Sequence, residues 1–158
     1  MFRLNHFGLS QRLWDGVWLL VLSFYVMAGI SITTFHADES LHIYTSRDYA
    51  TLFMHRKPGD LTTQPPYSEL DPDSHLRITT GSVTRYATGL AGHIGGLHER
   101  DLPGLWLWHL DYETNLQQGN RPSDVMLRAG RVPSALFLSL SVIVIFALGW
   151  QFGGRLLA

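Results

Sequence analysis

Two long uncharged apolar runs constrain this chain more than any other feature of its sequence. Residues 16–35 contain no charged side chain, and neither does the run from Val132 to Trp150. At about 1.5 Å of helical rise per residue, each run is long enough to cross a hydrocarbon core of roughly 30 Å. The pattern therefore predicts an all-α membrane protein with two transmembrane helices, at 16–35 and 132–151.

A cleaved signal peptide is the alternative interpretation of the first run. Arg3 and Arg12 supply a basic start, and small residues occur at Ala28 and Gly29. The apolar stretch is longer than the usual hydrophobic region of a signal peptide, and no clear A-x-A cleavage site follows it. The second run keeps the protein in the membrane in either case, so we expect the first run to remain as a span.

The orientation of the spans follows from the basic residues at their ends. Arg3 and Arg12 precede the first run, and Arg155 follows the second. Basic residues in short flanking segments mark the cytoplasmic side, so we expect both termini to be cytoplasmic, in the inner or plasma membrane. The segment 36–131 is then an extracytoplasmic loop. Two arginines near its end argue weakly for the opposite orientation, but long loops cross the membrane largely regardless of charge.

The composition of the loop excludes several classes of function. Its 96 residues carry 9 basic and 12 acidic side chains without a basic cluster, so a nucleic-acid partner has no electrostatic support. The chain has no cysteine, which excludes disulfides, thiolate metal sites and a cysteine nucleophile. It also lacks a glycine-rich phosphate loop, a serine-hydrolase motif and a zinc-protease motif.

Two short amphipathic juxtamembrane helices are expected in the loop. The first lies near 38–54, and the Pro- and Gly-rich stretch 55–73 after it predicts irregular structure. The second lies near 80–95, where Gly89 and Gly92 form a small-residue face that allows a neighbouring helix to approach closely. It has a single apolar stripe. The stripe contains Val83, Tyr86, Ala87, Leu90, Ala91 and Ile94.

The end of the loop carries two tryptophans and the start of the second long helix. Trp106 and Trp108 either lie at the bilayer surface, where tryptophan is enriched, or form a small core contact between loop elements. Ser123 is the expected N-cap of the second long helix, and Pro133 is a candidate kink. The expected organisation is a cytoplasmic tail at 1–15, a span at 16–35, a loop at 36–131, a span at 132–151 and a cytoplasmic end at 152–158.

Asp38 and Glu39 are the first candidates for chemistry. They follow the first span by a few residues, where a low local dielectric shifts carboxylate pKa values and a carboxylate can act as a general base. The alternative is that Asp38 only caps the helix that begins there. A metal site is a further alternative, because the spacing of His36, Asp38, Glu39 and His42 places ligands one helical turn apart.

Arg85 on the second amphipathic helix is the other candidate. Its guanidinium can pair with a phosphate through two donors at once, and a phosphate is the headgroup of many membrane lipids. A solvated arginine opposite an apolar stripe is the structural alternative.

The order of landmarks along the chain resembles the start of membrane glycosyltransferases of the GT-C class. The nearest branch is the superfamily of protein O-mannosyltransferases and aminoarabinose transferases, which uses polyprenyl-phosphate sugars. The matching residues are Asp38-Glu39, Gln64-Pro65-Pro66, Leu76-Arg77-Ile78, Arg85-Tyr86-Ala87-Thr88-Gly89-Leu90, Asn115-x-x-x-Gly119, Arg131-Val-Pro-Ser-Ala135, Leu148-Gly149 and Phe152-Gly153.

The resemblance implies an inverting transferase that moves a sugar from a polyprenyl-phosphate donor to a hydroxyl acceptor on the extracytoplasmic face. Asp38 would be the catalytic base, and Glu39 would support it by hydrogen bonding or metal contact, so a divalent cation is the one cofactor that the resemblance suggests. Arg85 is the candidate for donor-phosphate contact. The implied partners are the lipid bilayer and the lipid-linked sugar.

The chain departs from this family in its number of spans. Family members have many more, and this sequence ends about where a third would begin, so we expect it to be an N-terminal portion that is inactive alone. The alternative is a non-enzymatic two-span subunit that packs on a larger membrane protein through its small-residue and aromatic faces. A third hypothesis is a protein that binds a metal or pigment through its histidines.

Overall fold

Helices are the only extended regular elements in the residues that the structure, a computed structural model, describes, namely 6–63 and 72–153. The helices are α1 (His6–Ile32), α2 (Ala37–Thr45), α3 (Arg47–Tyr49), α4 (Pro72–Thr79), α5 (Ser82–Ile94), α6 (Tyr112–Gln117) and α7 (Asp124–Gly153). The predicted Gln64-Pro65-Pro66 turn, the basic residues Arg3 and Arg155, and the last five residues lie outside the described part of the chain.

The two long helices α1 and α7 are apolar and exposed. The stretch Gln11–Ile32 has a mean hydropathy of 1.7 and Asp124–Gly153 has one of 2.3. In the most apolar window of each helix, 0% of the α1 residues and 6% of the α7 residues are buried. The central helix of a soluble core would be buried instead. Both helices are therefore long and apolar enough to cross a membrane, and each begins before the predicted span.

The chain divides into two compact units. One comprises the residues up to 33 together with those from 135 onward, and the other comprises residues 34–134. The second unit has a small core of its own, in which Ile43, Met126 and Leu127 are buried. Three partly buried apolar residues pack against this core, namely Phe35, Leu97 and Leu102.

The helix expected near 38–54 is divided into segments. α2 ends at Thr45, α3 follows after one residue, and Ala50–Met54 forms a π-helical turn. Polar side chains at the end of α2 compete for its carbonyl groups. The Ser46 hydroxyl donates to the Ile43 carbonyl at 2.6 Å, and the Thr45 hydroxyl donates to the His42 carbonyl at 3.1 Å. Such local bonds offer the backbone an alternative to a continuous helix.

α4 begins at Pro72, within the stretch 55–73 that was expected to be irregular. Its contacts with other helices explain why it forms. Ser74 is fully buried, Arg77 binds Asp48, and Asp73 accepts a hydrogen bond from the Tyr44 hydroxyl. These partners come from a distant part of the chain, so the local sequence of α4 carries little signal.

α5 occupies the region where the second amphipathic helix was expected. It ends at Ile94, and the C-cap residue Gly95 donates its N–H to the Ala91 carbonyl at 3.0 Å. α5 packs against α2 and α3. Gly89 makes the closest approach, since a Cβ atom there would overlap Tyr49 and the Ser46 carbonyl. The small-residue face thus receives a helix of the same chain at Gly89.

Candidate functional site

The start of α2 is fixed by a reciprocal pair of hydrogen bonds between residues 36 and 39. The His36 Nδ1 atom accepts from the Asp38 N–H at 3.2 Å, and the Glu39 carboxylate accepts from the His36 N–H at 3.0 Å. These bonds satisfy backbone donors that an isolated helix start leaves unpaired. The cap is therefore made by His36 and Glu39, and the alternative in which the Asp38 side chain caps α2 is wrong.

Glu39 also holds a residue from the first part of α7. Arg131 donates through Nε to Oε1 at 2.5 Å and through its NH2 group to Oε2 at 2.9 Å, and it donates to the Thr34 carbonyl at 3.2 Å. The pair is mostly buried, with side-chain exposures of 15% for Arg131 and 24% for Glu39. A bidentate contact of this kind fixes the relative orientation of the two side chains as well as their distance.

The environment of Glu39 keeps it ionised. Burial raises the pKa of the Glu39 carboxyl, but the hydrogen bond from Arg131, the hydrogen bond from the backbone N–H of His36 and the charge of Arg131 outweigh burial and lower the pKa below its ordinary value. Glu39 is thus a fixed anion with three donors around it. This arrangement suits a positioning group rather than a base that gains and loses a proton.

Asp38 has the opposite character. Its side chain is 59% exposed, and its Oδ2 atom lies 3.4 Å from His36 Nδ1. A ring nitrogen that accepts a hydrogen bond from a backbone N–H carries no proton, so this contact is not a salt bridge while the cap is in place. Asp38 therefore presents a carboxylate that has its backbone fixed by the cap and its oxygen atoms open to an incoming group. Geometrically it can accept a proton.

Arg85 lies in a buried ion cluster instead of facing outward. Its exposure is 4%, its NH1 atom lies 3.2 Å from Asp48 Oδ2, and its NH2 atom donates to the Thr80 hydroxyl at 2.8 Å. Arg77 binds the same Asp48 carboxylate through two bonds of 3.0 Å. The donor-phosphate role stays a prediction, and it would require Arg85 to leave Asp48. The solvated-arginine alternative is wrong.

Asp48 is buried between two arginines, a role that was not predicted from the sequence. It is 3% exposed and pairs with two arginines that lie 29 and 37 positions further along the chain. Nothing near Asp48 in the sequence signals this role. Its side chain joins α3 to α4 and α5, and it therefore holds together the helices that follow α2.

Asn115 organises the tryptophan segment. It is fully buried, it accepts from the Leu107 N–H at 2.9 Å, and its amide donates to the Leu107 and Asp111 carbonyls at 3.0 Å. Trp106 is 7% exposed and packs 5.3 Å from the ring of Phe35, whereas Trp108 is 63% exposed. The core-contact interpretation is thus confirmed for Trp106, and Trp108 is the one available to a bilayer surface.

A cavity of about 370 Å³ lies within the 34–134 unit. Apolar residues and glycines of α2, α5 and α7 form much of its wall, and a His55–Glu99 pair at 2.9 Å lies on its lining. Such a cavity suits a small apolar or amphipathic group. Among the described residues no three His, Asp or Glu side chains gather as metal ligands, and the proposed set around Asp38 and His42 is not brought together.

Comparison with protein-family models, with curated proteins and with solved structures finds no match to this chain. The geometry at the start of α2 therefore carries the functional inference. It contains an exposed carboxylate, Asp38, next to a fixed anion, Glu39. Arg131 holds Glu39 in place.

Proposed function

We propose that this chain is the N-terminal portion of an inverting glycosyltransferase that moves a sugar from a polyprenyl-phosphate donor to a hydroxyl acceptor. Asp38 is the catalytic base. The observation that carries the proposal is the contrast between the two neighbouring carboxylates. Asp38 is exposed, and no arginine or lysine of residues 6–63 and 72–153 forms an ion pair with it, while Glu39 is held by Arg131 and by the His36 N–H.

The chemistry needs one carboxylate that is free to accept a proton. In a single displacement the acceptor oxygen attacks the anomeric carbon, the bond from that carbon to the donor phosphate breaks, and the polyprenyl phosphate leaves. The acceptor proton passes to an Asp38 oxygen. Because attack occurs opposite to the leaving group, the anomeric configuration inverts. A base must lie within about 3 Å of the hydroxyl, so a fixed backbone at Asp38 supports this role.

The proximity of Asp38 to the lipid donor follows from chain connectivity. Only five residues separate Ile32, the end of α1, from Asp38, and an extended chain spans at most about 3.5 Å per residue. The polyprenyl tail of the donor stays in the bilayer, so its phosphate is met at the end of a span. We propose further that both termini are cytoplasmic and that residues 36–131 face the extracytoplasmic side.

Glu39 and Arg131 support the base without touching the acceptor. The ion pair and the cap together hold both sides of residue 38, because Glu39 is bonded to His36 and Arg131. The proposal does not depend on Arg85, which Asp48 engages. It does not depend on a metal either, although a divalent cation remains the one cofactor that the family resemblance suggests.

Transfer by the product of the whole reading frame tests the proposal. The protein is reconstituted in liposomes with polyprenyl-phosphate mannose or glucose, and release of polyprenyl phosphate is measured with and without Asp38→Asn. General-base catalysis contributes about 10²- to 10⁴-fold, so we expect a loss in that range. Asp60→Asn is the matched control, since Asp60 is also an exposed aspartate of the same loop. Equal release by wild type and Asp38→Asn would remove the assigned base.

A further inference from the structure

α5 packs on the rest of its unit through polar residues and exposes large apolar ones, the reverse of a helix on a soluble domain. Its polar residues Arg85 and Thr88 are buried, at 4% and 5% exposure. Its apolar residues Val83, Leu90 and Ile94 are exposed at 67%, 45% and 77%. A helix packed on a water-soluble core normally buries its apolar stripe and exposes its polar face. The apolar stripe of α5 therefore has another environment.

The orientation of α5 is fixed by contacts on its polar side. Arg85 reaches Asp48 on α3 at 3.2 Å, and Gly89 lies against Tyr49 so closely that no side chain fits between them. Rotating the helix to bury its stripe would break the ion pair and open this contact. The exposure of the stripe is thus imposed by the rest of the 34–134 unit.

Two further apolar residues extend the stripe. The ring of Tyr86 on α5 packs edge-on against Phe53, with ring centroids 6.0 Å apart. Phe53 and the next residue, Met54, are 56% and 52% exposed. Single exposed apolar residues are ordinary on protein surfaces, but a group of five large ones marks an interaction site. We call this group the α5 surface; it consists of Phe53, Met54, Val83, Leu90 and Ile94.

Charge and connectivity identify the occupant of this surface. Met54 is followed by three exposed residues, His55, Arg56 and Lys57. His55 pairs with Glu99 at 2.9 Å, so the cationic character of this border rests on Arg56 and Lys57. Both ends of the 34–134 unit continue into helices that are apolar enough to cross a membrane, so a bilayer is always within reach of the unit. Apolar side chains bordered by cations are the pattern of a helix that lies in the interface of an anionic membrane.

We propose that the α5 surface inserts into the headgroup and upper acyl region of the bilayer and that Arg56 and Lys57 bind anionic lipid headgroups there. This goes beyond the proposed reaction and does not depend on it. The bilayer is the occupant favoured by the two neighbouring apolar helices, which hold the unit next to a membrane whose anionic headgroups can pair with the cations. The experiment below separates it from a second copy of the chain or another protein.

The absence of cysteine makes the test direct. The full chain is reconstituted in phosphatidylcholine liposomes containing phosphatidylglycerol, with a single nitroxide label on Leu90→Cys or Ile94→Cys. Controls are labels at Glu113→Cys and Gln117→Cys, on the exposed face of α6. The accessibility of each label is measured by its spin relaxation in the presence of oxygen, which concentrates in lipid, and of a water-soluble nickel chelate. We expect a severalfold higher oxygen-to-nickel ratio at the α5 positions than at the α6 positions.

Each alternative gives a different result. A low oxygen-to-nickel ratio at the α5 positions would overturn the proposal, because the stripe would then face water. Low accessibility to both reagents at α5 would also overturn it, since a protein surface would cover the stripe. Ile94 is 77% exposed and Leu90 is 45% exposed, so the Ile94 label removes the least packing and the two labels check each other. An unchanged near-ultraviolet circular dichroism spectrum would verify that each labelled protein is folded.

The role of the two cations is tested by the double variant Arg56→Gln, Lys57→Gln. Each basic residue near an anionic surface changes the binding equilibrium by roughly fivefold. In anionic liposomes we therefore expect the label at position 94 to lie less deep in the double variant than in the protein with Arg56 and Lys57. In pure phosphatidylcholine we expect the same depth in both proteins. Identical depth for wild type and double variant in both lipid mixtures would overturn the headgroup contact.

Discussion

Glu39 and Arg131 form a bidentate ion pair, although they lie 92 positions apart in the sequence. The same Glu39 carboxylate closes the cap of α2, and the same Arg131 holds the carbonyl of Thr34. The backbone on both sides of Asp38 is therefore tied to the first part of α7. A base whose position depends on one ion pair is sensitive to changes in either partner.

Arg131→Lys tests the geometric part of this pair. Lysine keeps the charge but has one nitrogen, so it cannot bind both oxygens of Glu39 and the Thr34 carbonyl at once. We expect a loss of about 1–3 kcal/mol in the free energy of opening of α2. Hydrogen exchange at the α2 amides of the reconstituted full chain measures this loss. Arg128→Lys, at an exposed position one turn earlier on α7, is the control. Equal exchange in the two variants would contradict the prediction.

The acid dependence of the loop provides a second prediction. The pKa of Glu39 is lowered in the folded protein from an ordinary value of 4.5. The stabilisation from Glu39 is therefore fully present above that value and is lost as the pH falls through the lower folded pKa. We expect α2 protection, corrected for the intrinsic exchange rate, to fall on acidification below about pH 4.5.

Glu39→Gln isolates this contribution. The variant should show less α2 protection than wild type near neutral pH and a weaker loss of protection on acidification, because its side chain does not titrate. Glu113→Gln, at an exposed position of α6, should follow wild type. A Glu39→Gln profile with the same acid dependence as wild type would show that another group is responsible.

The elements that the sequence predicted well are those whose cause is local. Most of each apolar run lies within α1 or α7, and the N-cap expected at Ser123 is present, since its hydroxyl accepts from the Met126 N–H at 3.3 Å. The second amphipathic helix was expected near 80–95, and α5 spans Ser82–Ile94 with Gly95 as its C-cap. Run length, caps and glycine breaks act within one or two turns, so a single sequence contains them.

What the sequence did not predict depends on distant partners. Asp48 becomes the centre of an ion cluster only because α4 and α5 bring two arginines to it. The periodicity of α5 revealed an apolar stripe but not that Arg85 would be buried against Asp48. The same limit applies to Trp106 and Trp108, whose exposures are 7% and 63% although they lie two residues apart.

Asp48→Asn is expected to be the most destabilising substitution in the loop. In the described part of the chain Asp48 is the one anion that pairs with Arg85, and the variant removes its charge. Arg77 loses the charged acceptor of its two hydrogen bonds, because asparagine offers a single neutral oxygen. A broken buried ion pair costs about 3–5 kcal/mol. Thermal unfolding in detergent, followed by near-ultraviolet circular dichroism, measures the effect. Asp60→Asn is the control because Asp60 is exposed. A similar midpoint in the two variants would show that the cluster is dispensable.

The two glycines on α5 allow a matched comparison. An added Cβ at Gly89 would overlap Tyr49 and the Ser46 carbonyl, whereas at Gly92 the nearest atom is the Leu97 Cβ at 3.9 Å. Gly89→Ala should therefore cost about 1–3 kcal/mol through overpacking. Gly92→Ala should be neutral or stabilising by up to about 1 kcal/mol, because alanine is the better helix former. The same thermal measurement compares them, and equal midpoints would mean that α5 does not pack on α3 through Gly89.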